Sequence, residues 1–141
     1  MDAQGQQSSA KPALQVVAAI LRRDGKILIC QRAAAGRHPL RWEFSGGKVE
    51  AGETEPEALA RELAEELALR IGPEQIGPLV ARLQHRYGEL AVELAFYAVA
   101  APAAEPQNRV FAAIRWEAAT SLEAYDFLEA DRPLLPRLAK L

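Results

Sequence analysis

The chain opens with two apolar runs that predict a β-hairpin. Residues 14–21 and 26–32 are rich in Val, Ile, Leu and Ala, and Arg23, Asp24 and Gly25 separate them. Asp-Gly between two β-favouring runs is a strong hairpin signal, because these residues tolerate the positive φ angles of a tight turn. The residues before the first run are small and polar, which predicts a flexible N-terminal tail over 1–12.

Further apolar and polar stretches predict an alternation of strands, loops and helices. A loop is expected over 33–40, followed by a short strand over 41–44. More β-like stretches cover 79–87, 90–100 and 111–117, with a proline-containing loop over 101–108, and residues 133–140 predict a closing helix. Strands mixed with helices indicate a layered α/β fold, here as one domain over 13–141.

The clearest helical pattern lies in the middle of the chain and has a well-marked start. Thr54 and Glu57 have the spacing of a capping box, in which each side chain pairs with the backbone of the other residue. Three leucines then recur every four residues, as Leu59, Leu63 and Leu67. This spacing predicts an apolar stripe that packs on the core.

Three glutamates lie beside that stripe. Glu62, Glu65 and Glu66 stand at i, i+3 and i+4, so they share one face of the helix. Like charges at this spacing repel by about 0.2–0.5 kcal/mol per pair, and a hard divalent cation would relieve the repulsion. Oxygen-only ligands favour Mg²⁺, Mn²⁺ or Ca²⁺ over zinc. The alternative is a solvated acidic face on which Arg61 pairs with Glu65.

Composition agrees with a small enzyme and argues against several other classes. A chain of 141 residues that is 50% hydrophobic can bury a core as one domain. The net charge of −2 and the scattered Lys and Arg residues give no general attraction to nucleic acid. No apolar stretch reaches the ~18–20 residues that span a bilayer, and no secretion signal is recognisable, so we expect a cytoplasmic protein. Cys30 is the sole cysteine and is expected to be a packed core thiol.

The segment 47–69 resembles the signature of the Nudix hydrolases, here called the Nudix box. That signature reads Gly, five residues, Glu, seven residues, then Arg-Glu-apolar-any-Glu-Glu-any-Gly-apolar. The positions that match are Gly47, Glu53, Arg61, Glu62, Leu63, Glu65, Glu66 and Leu69. Ala68 stands where the family has glycine, at the helix exit, and we expect Gly72-Pro73 to end the helix slightly later.

Flanking residues narrow the resemblance to the MutT-like branch of this family. The stretch 41–48, Arg-Trp-Glu-Phe-Ser-Gly-Gly-Lys, is similar to that branch, whose members usually carry proline where Ser45 stands. Both ends of the chain are also similar, so the resemblance covers about residues 14–141. It implies a Nudix-type α/β/α sandwich with a mixed β-sheet.

The resemblance also implies an activity. Nudix hydrolases cleave a nucleoside diphosphate linked to another group, usually by attack of water on phosphorus. We therefore expect Mg²⁺-dependent hydrolysis of a nucleoside triphosphate to the monophosphate and pyrophosphate, with Mn²⁺ able to substitute. The favoured substrate is 8-oxo-dGTP, and its hydrolysis implies a role in nucleotide-pool sanitation and DNA repair. The protein is expected to be a monomer or a weak homodimer. The alternatives are CTP or dCTP, a dinucleoside polyphosphate or ADP-ribose, and a nucleotide-sensing domain without catalysis.

Roles in metal binding are carried over by the same resemblance. Glu62, Glu65 and Glu66 are assigned as metal ligands, with the Gly46 carbonyl as an extra ligand and Glu43 in the outer shell. Glu65 or Glu66 is also expected to deprotonate or orient the attacking water. Several MutT-like enzymes carry another glutamate where this chain has Val110, which leaves water activation to the box glutamates.

The remaining assignments concern support, phosphate and base. Glu53 is expected to support the metal site and Arg61 to orient Glu53 or the other glutamates. Arg32 and Lys48 are the phosphate-binding candidates, with a solvated surface charge as the alternative for each. Asp131 is the base-binding candidate, with a helix N-cap as the alternative. An ionised Asp accepts hydrogen bonds and donates none, which favours the N–H-rich edges of guanine and cytosine.

Tyr87 is a weaker sequence signal. It lies 18 residues after Leu69, a spacing seen in relatives that cleave dinucleoside polyphosphates.

Overall fold

Seven strands form one sheet, with helices packed on both of its faces. The computed structural model describes residues 13–140, so the predicted tail over 1–12 lies outside the described residues. The strands are β1 (Leu14–Arg23), β2 (Lys26–Gln31), β3 (Trp42–Glu43), β4 (Gly46–Lys48), β5 (Leu79–Tyr87), β6 (Leu90–Ala100) and β7 (Ala113–Ala118). The helices are α1 (Glu55–Leu67) and α2 (Leu135–Leu138), with 3-10 turns at Pro73–Gln75, Ala119–Ala124 and Glu129–Leu134.

The sheet is mixed, as the resemblance implied. The strand order is β3-β2-β1-β6-β5, with β4 paired to β1 and β7 paired to β2. β1 and β6 run parallel along their full length, while the other pairs are antiparallel. β1 pairs with β2 at Arg22 and Arg23 but with β4 at Val16 to Ala18. β2 and β4 therefore diverge along β1, and the candidate site opens near this divergence.

The first hairpin has the predicted turn. Asp24 and Gly25 have φ angles of 52° and 77°. Positive φ at both central residues is the requirement of a type I′ turn, whose twist matches that of the flanking strands.

Alternating residues of β1 divide the core into two halves. Val17, Ala19 and Leu21 pack towards α1, whereas Ala18 and Ile20 pack towards the C-terminal segment. The leucine stripe of α1 is fully buried, at 0% exposure for Leu59, Leu63 and Leu67. Burying one such side chain contributes about 1.5–3 kcal/mol. The sheet thus lies between two helical layers, which confirms the sandwich.

The start of α1 is confirmed, but the expected end is wrong. The Glu57 N–H donates to Thr54 Oγ1 at 3.2 Å, and the Thr54 N–H donates to the Glu57 carboxylate at 2.8 Å. The helix ends at Leu67, and Ala68 takes a left-handed conformation with φ 56° and ψ 28°. Gly72 does not end the helix; it precedes the 3-10 turn Pro73–Gln75.

Two other boundaries differ from the predictions. The expected closing helix over 133–140 reduces to α2, because residues 129–134 form a 3-10 turn that contains Pro133. β7 begins at Ala113 instead of residue 111, since the Asn108 side chain binds both backbone polar groups of Phe111. Those groups are then unavailable for strand pairing.

The aromatic side chains of the apolar strands, which are usually core residues, behave in two ways. Trp42, Phe44 and Phe96 are buried, but Trp116 is half-buried and lies under the Arg23 guanidinium at 5.0 Å. Cys30 is fully buried, as expected, and burial raises the pKa of its thiol well above the ordinary value.

Candidate active site

A cleft of about 390 Å³ opens between β1, β4, β5 and the loop after β2. It brings together residues that are far apart in the sequence and that were predicted to have different roles in the site. Those lining it are Arg32, Glu43, Gly46, Lys48, Glu66 and Asp131. Glu53, Arg61, Glu62 and Glu65 do not line this cleft.

Glu66 is the box glutamate that faces the cleft. The Ser45 hydroxyl donates to its Oε1 at 2.7 Å, and the Gly46 N–H donates to the same oxygen at 3.2 Å. Burial raises the pKa of Glu66 to about 7, with further increases from the charges of Glu62 and Glu43. The two hydrogen bonds favour the ionised form and limit the rise. A carboxyl group with a pKa near neutrality can exchange a proton at physiological pH.

Gly47 leaves a space that the Glu62 carboxylate occupies. A Cβ atom on Gly47 would lie 2.0 Å from Glu62 Oε2, so the carboxylate occupies the space that a side chain would need. This packing is not readable from the sequence, because it depends on how α1 docks against β4. Burial raises the pKa of Glu62, while the nearby Arg61 lowers it.

Arg61 holds the acidic residues around it in place. Its Nε and Nη2 donate to the two oxygens of Glu53 at 2.6 and 3.0 Å, and Nη2 also donates to the Lys48 carbonyl. Its Nη1 lies 3.3 Å from carboxylate oxygens of both Glu62 and Glu65. The hydrogen bonds from Arg61, together with one from the Glu50 backbone, lower the pKa of Glu53 to about 2. Arg61 thus contacts three carboxylates of the box, and its orienting role stays a prediction.

The box carboxylates fit a hard cation in chemistry but do not converge as they stand. Within residues 13–140, no three His, Cys, Asp or Glu side chains are grouped as a metal site. Arg61 instead balances the charges of Glu62 and Glu65. Glu66 has no ion pair within the described part of the chain and is partly protonated near neutral pH. Its oxygen-only donor set favours a hard cation there, which would bind the ionised form.

Asp131 closes the other end of the cleft, and the alternative of a helix N-cap is wrong. It lies inside the 3-10 turn Glu129–Leu134, and neither this turn nor α2 has a side-chain cap, so Asp131 is not an N-cap. Its carboxyl group is 3% exposed and accepts a hydrogen bond from the Phe44 N–H. Burial raises its pKa well above the ordinary value, and the charge of Glu43 adds to the rise. Burial thus favours the protonated form of Asp131, which donates as well as accepts.

Arg32 and Glu43 connect the two ends of the cleft. Arg32 Nη1 lies 3.1 Å from both carboxylate oxygens of Glu43, and Arg32 Nε donates to the Arg37 carbonyl at 2.9 Å. Burial raises the pKa of Glu43, and its pairing with Arg32 opposes the rise. The charge of Glu43 affects the pKa of both Glu66 and Asp131, so Glu43 lies near both carboxyl groups.

Several site residues were missed or undervalued by sequence reasoning. Ser45 was noted only as a departure from proline, yet it donates to Glu66. Arg37, His38 and Tyr87 line the cleft, and only Tyr87 had drawn attention, on its spacing. A hydroxyl beside a glycine pair was a usable signal for Ser45; the loop residues gave none, because their position depends on tertiary contacts.

The loop before β7 brings Val110 to the site. The Gln107 and Arg109 N–H groups donate to the Leu67 and Glu66 carbonyls at 2.8 and 3.1 Å, which pins this loop to the end of α1. Val110 then lines a smaller cleft, of about 230 Å³, together with Glu43 and Glu66. The position at which relatives carry a further acid thus faces the Glu66 side of the site.

Comparisons with known proteins agree with the fold and the box. Residues 11–138 match the model of the NUDIX domain. The CTP pyrophosphohydrolase of Escherichia coli K12 is 38% identical over 122 residues, which cover 86% of this chain and 88% of that protein. The 8-oxo-dGTP diphosphatase of the same strain is 33% identical over 129 residues, covering 91% and 98%.

A solved structure extends the comparison to three dimensions. The DNA mismatch repair protein MutT of methicillin-resistant Staphylococcus aureus 252 is similar, with a TM-score of 0.73 and 34% identity over 92% of this chain and 98% of that one. The chain therefore belongs to the Nudix family. It is a hydrolase of the MutT-like branch that acts on diphosphate linkages, and Nudix hydrolases generally need a divalent metal ion. Within residues 13–140, no helix is both long and apolar enough to cross a bilayer.

Proposed function

We propose that this protein is a Mg²⁺-dependent nucleoside triphosphate diphosphatase that releases the monophosphate and pyrophosphate. The observation that carries the proposal is that Glu66 and Asp131 line one continuous cleft. One pocket thus contains both Glu66, which can take part in phosphate hydrolysis, and Asp131, which can hydrogen-bond to a nucleobase. 8-Oxo-dGTP is the favoured substrate, and its removal would place the protein in nucleotide-pool sanitation.

The residues of the site divide the chemical work between them. Glu62, Glu65, Glu66 and the Gly46 carbonyl would hold Mg²⁺, with Mn²⁺ able to substitute. A bound divalent ion supplies charge neutralisation of the phosphates and orientation of water. Arg61 fixes Glu53 by two hydrogen bonds and thereby limits the freedom of the neighbouring box residues.

Hydrolysis needs a base that is ready near neutral pH. Water attacks a phosphorus atom, its oxygen forms a new P–O bond, and the bond from that phosphorus to a bridging oxygen breaks. The proton of the water passes to a carboxylate. Glu65 and Glu66 are the candidates for this transfer. Arg32 and Lys48 line the cleft and supply positive charge for the phosphates.

Base recognition falls to Asp131 as a neutral acid. A carboxylic acid presents one donor and one acceptor, so it fits a base edge that carries an acceptor and a donor side by side. 8-Oxoguanine offers this pair as O6 and N7–H, and cytosine offers it as N3 and the 4-amino group. Uracil and adenine carry such pairs as well, so Asp131 alone does not rank the bases, and CTP or dCTP is the second candidate substrate because a relative named for that activity is similar to the chain. The chain is similar to one relative named as a CTP pyrophosphohydrolase and to another named as an 8-oxo-dGTP diphosphatase.

A substrate panel tests the function directly. Hydrolysis of 8-oxo-dGTP, dGTP, CTP, dCTP, UTP, ADP-ribose and a dinucleoside polyphosphate is measured with Mg²⁺, and the products are identified. We expect monophosphate and pyrophosphate from 8-oxo-dGTP or a cytosine nucleotide, and complete loss of activity with a chelator. Preferred cleavage of ADP-ribose or a dinucleoside polyphosphate would instead support those alternatives, to which the position of Tyr87 points.

Matched variants test the box glutamates. Glu65→Gln and Glu66→Gln keep the side-chain shape and should lower kcat by about 10²–10⁴, the scale of positioned acid–base and electrostatic groups. Glu123→Gln is the control, because Glu123 is exposed and lies outside the cleft. Wild-type turnover in both box variants would overturn the assignment. Nucleotide binding without any hydrolysis by the wild-type protein would support a sensing domain.

A further inference from the structure

The loop that follows β2 has an unusual backbone at the mouth of the cleft. Gly36, His38 and Leu40 have φ angles of 102°, 51° and 61°. A positive φ is uncommon for residues other than glycine and costs free energy, so the surrounding contacts must stabilise it. Within residues 33–40, His38 alone is half-buried, while its neighbours are exposed. The strained backbone therefore turns one side chain of the loop inward.

The inward side chain packs against an aromatic ring of the cleft. The centroids of the His38 and Tyr87 rings are 4.9 Å apart and their planes are inclined at 46°. Tyr87 is itself fixed, since its hydroxyl accepts a hydrogen bond from the Ala130 N–H and the His85 ring packs on it at 4.6 Å. Ala130 directly precedes Asp131, so this aromatic pair lies beside the carboxyl group that closes the cleft.

Arg32 holds the loop that presents His38. The Arg32 side chain donates to the Arg37 carbonyl at 2.9 Å, directly before His38. The Arg32 N–H donates to the Arg41 carbonyl at 2.8 Å, and the Leu40 N–H donates to the Arg32 carbonyl at 3.2 Å. Burial and three neighbouring arginines lower the pKa of His38, so its imidazole is neutral at physiological pH. The His38 ring is therefore uncharged, and the contacts of its loop hold it at the edge of the cleft.

We propose that His38 is a specificity-determining residue, whose ring limits the size of the base that can reach Asp131. This inference rests on the proposed function, because it requires a nucleobase at Asp131. A base that hydrogen-bonds there must fit beside the packed rings of His38 and Tyr87. Purines are larger than pyrimidines, so the position of the His38 ring affects purine nucleotides more strongly.

Three variants separate ring size from the other properties of His38. His38→Gly removes the ring and suits the positive φ, so the loop backbone keeps its conformation. His38→Phe keeps a ring of similar size without the nitrogens. His85→Ala is the control, because it removes a ring that also packs on Tyr87 but does not line the cleft. kcat/KM is measured for 8-oxo-dGTP, dGTP and dCTP, and Kd is measured for the corresponding monophosphates.

We expect His38→Gly to raise the purine-to-pyrimidine ratio of kcat/KM by about tenfold, the scale of steric discrimination in a pocket. The ratio of monophosphate affinities should move in the same direction. His38→Phe and His85→Ala should stay within about threefold of wild type. Thermal melting is followed for every variant, and His38→Asn, which also tolerates a positive φ, replaces His38→Gly if the latter is unstable.

Several results would overturn the inference. One is an unchanged ratio in His38→Gly; another is His38→Phe behaving like His38→Gly while melting at the wild-type temperature, since the loop would then be intact and the ring nitrogens responsible. An equal change of this ratio in His85→Ala would show that the effect arises from a displaced Tyr87 ring, on which both histidines pack. Failure of the wild-type protein to hydrolyse any nucleotide would reject the proposed function, whereas the monophosphate affinities would still test His38.

Discussion

Asp131 illustrates how burial changes the chemistry of a single side chain. Its position near the end of the chain suggested a base contact, and the usual ionised state suggested an acceptor. The structure places it at 3% exposure, where the neutral form is favoured because a buried carboxylate loses its hydration. The pattern of hydrogen bonds that it can offer a base changes accordingly.

The neutral state of Asp131 leads to a prediction about its amide variant. Asp131→Asn retains one donor and one acceptor and can still accept from the Phe44 N–H. We expect its order of base preference to match that of the wild type, with kcat/KM within about tenfold. Asp131→Ala should raise KM and flatten the base preference. Steady-state kinetics over the same nucleotide panel measure both effects.

Stability must be followed in parallel, because Asp131→Ala leaves the buried Phe44 N–H without its partner. An unsatisfied buried donor costs about 1–3 kcal/mol. A reversal of base preference in Asp131→Asn, with melting unchanged, would show that the wild-type group is ionised when substrate binds.

Residue types at fixed spacing predicted some contacts of the site but not others. The pairing of Arg61 with Glu65 followed from the i, i+4 spacing. The contact of Ser45 with Glu66 and the space that Gly47 leaves for Glu62 join β4 to α1. Contacts between elements depend on docking, which hydrophobic periodicity does not encode.

At the scale of elements, α1 shows why a helix start was easier to predict than its end. The capping box is a local arrangement of two residues, so it is readable in the sequence. The end depends on which residue accepts a left-handed conformation. Ala68 does so although glycine is better suited, because the Ala68 N–H donates to Ala64 and the Leu69 N–H to Leu63. Leu69 is also fully buried, which fixes the chain direction after α1.

Ala68→Gly should therefore stabilise the protein. Relief of a left-handed alanine is worth about 1–2 kcal/mol, and the greater freedom of glycine in the unfolded chain offsets about 0.4–1 kcal/mol of that. We expect Tm to rise by about 2–4 °C, with catalysis unchanged. Thermal melting of the metal-free protein measures this effect.

Ala64→Gly is a suitable control for that prediction, because Ala64 lies inside α1 with helical backbone. The same chemical change should there lower stability by about 1 kcal/mol. Equal losses of Tm in the two variants would mean that Ala68 is not strained.

For the whole molecule, the pattern of apolar residues predicted a layered α/β fold, whereas the mixed sheet was expected only from the family resemblance and the order of its strands was not predicted. Alternation along β1 places Val17 and Ala18 on opposite faces, which requires a layer on each side. The parallel pairing of β1 with β6 joins residues more than seventy positions apart, such as Val16 and Leu94. Such pairing is set by tertiary packing and has no local sequence signal.

The buried carboxyl groups make the stability of the whole protein depend on pH. Burial raises the pKa of Glu66 to about 7 and raises those of Glu43, Glu62 and Asp131. The folded state thus binds more protons than the unfolded state in the range between the ordinary carboxyl pKa and about 7. The stabilisation is complete below the ordinary pKa and is lost as pH rises through the folded pKa.

We therefore expect the metal-free protein to melt several degrees lower at about pH 8 than at about pH 5.5. Glu66→Gln cannot titrate at this position, so its Tm should fall less over the same interval.

Mg²⁺ should raise Tm more at the higher pH, because ionised carboxylates bind the cation. A sodium salt of equal ionic strength controls for screening. Both pH values lie above 5, so that Glu53 does not affect the comparison. The pKa of Glu53 is lowered to about 2, and the stability that this residue contributes is therefore lost only in stronger acid. An equal loss of Tm in Glu66→Gln and wild type would assign the pH dependence to the other buried carboxyl groups.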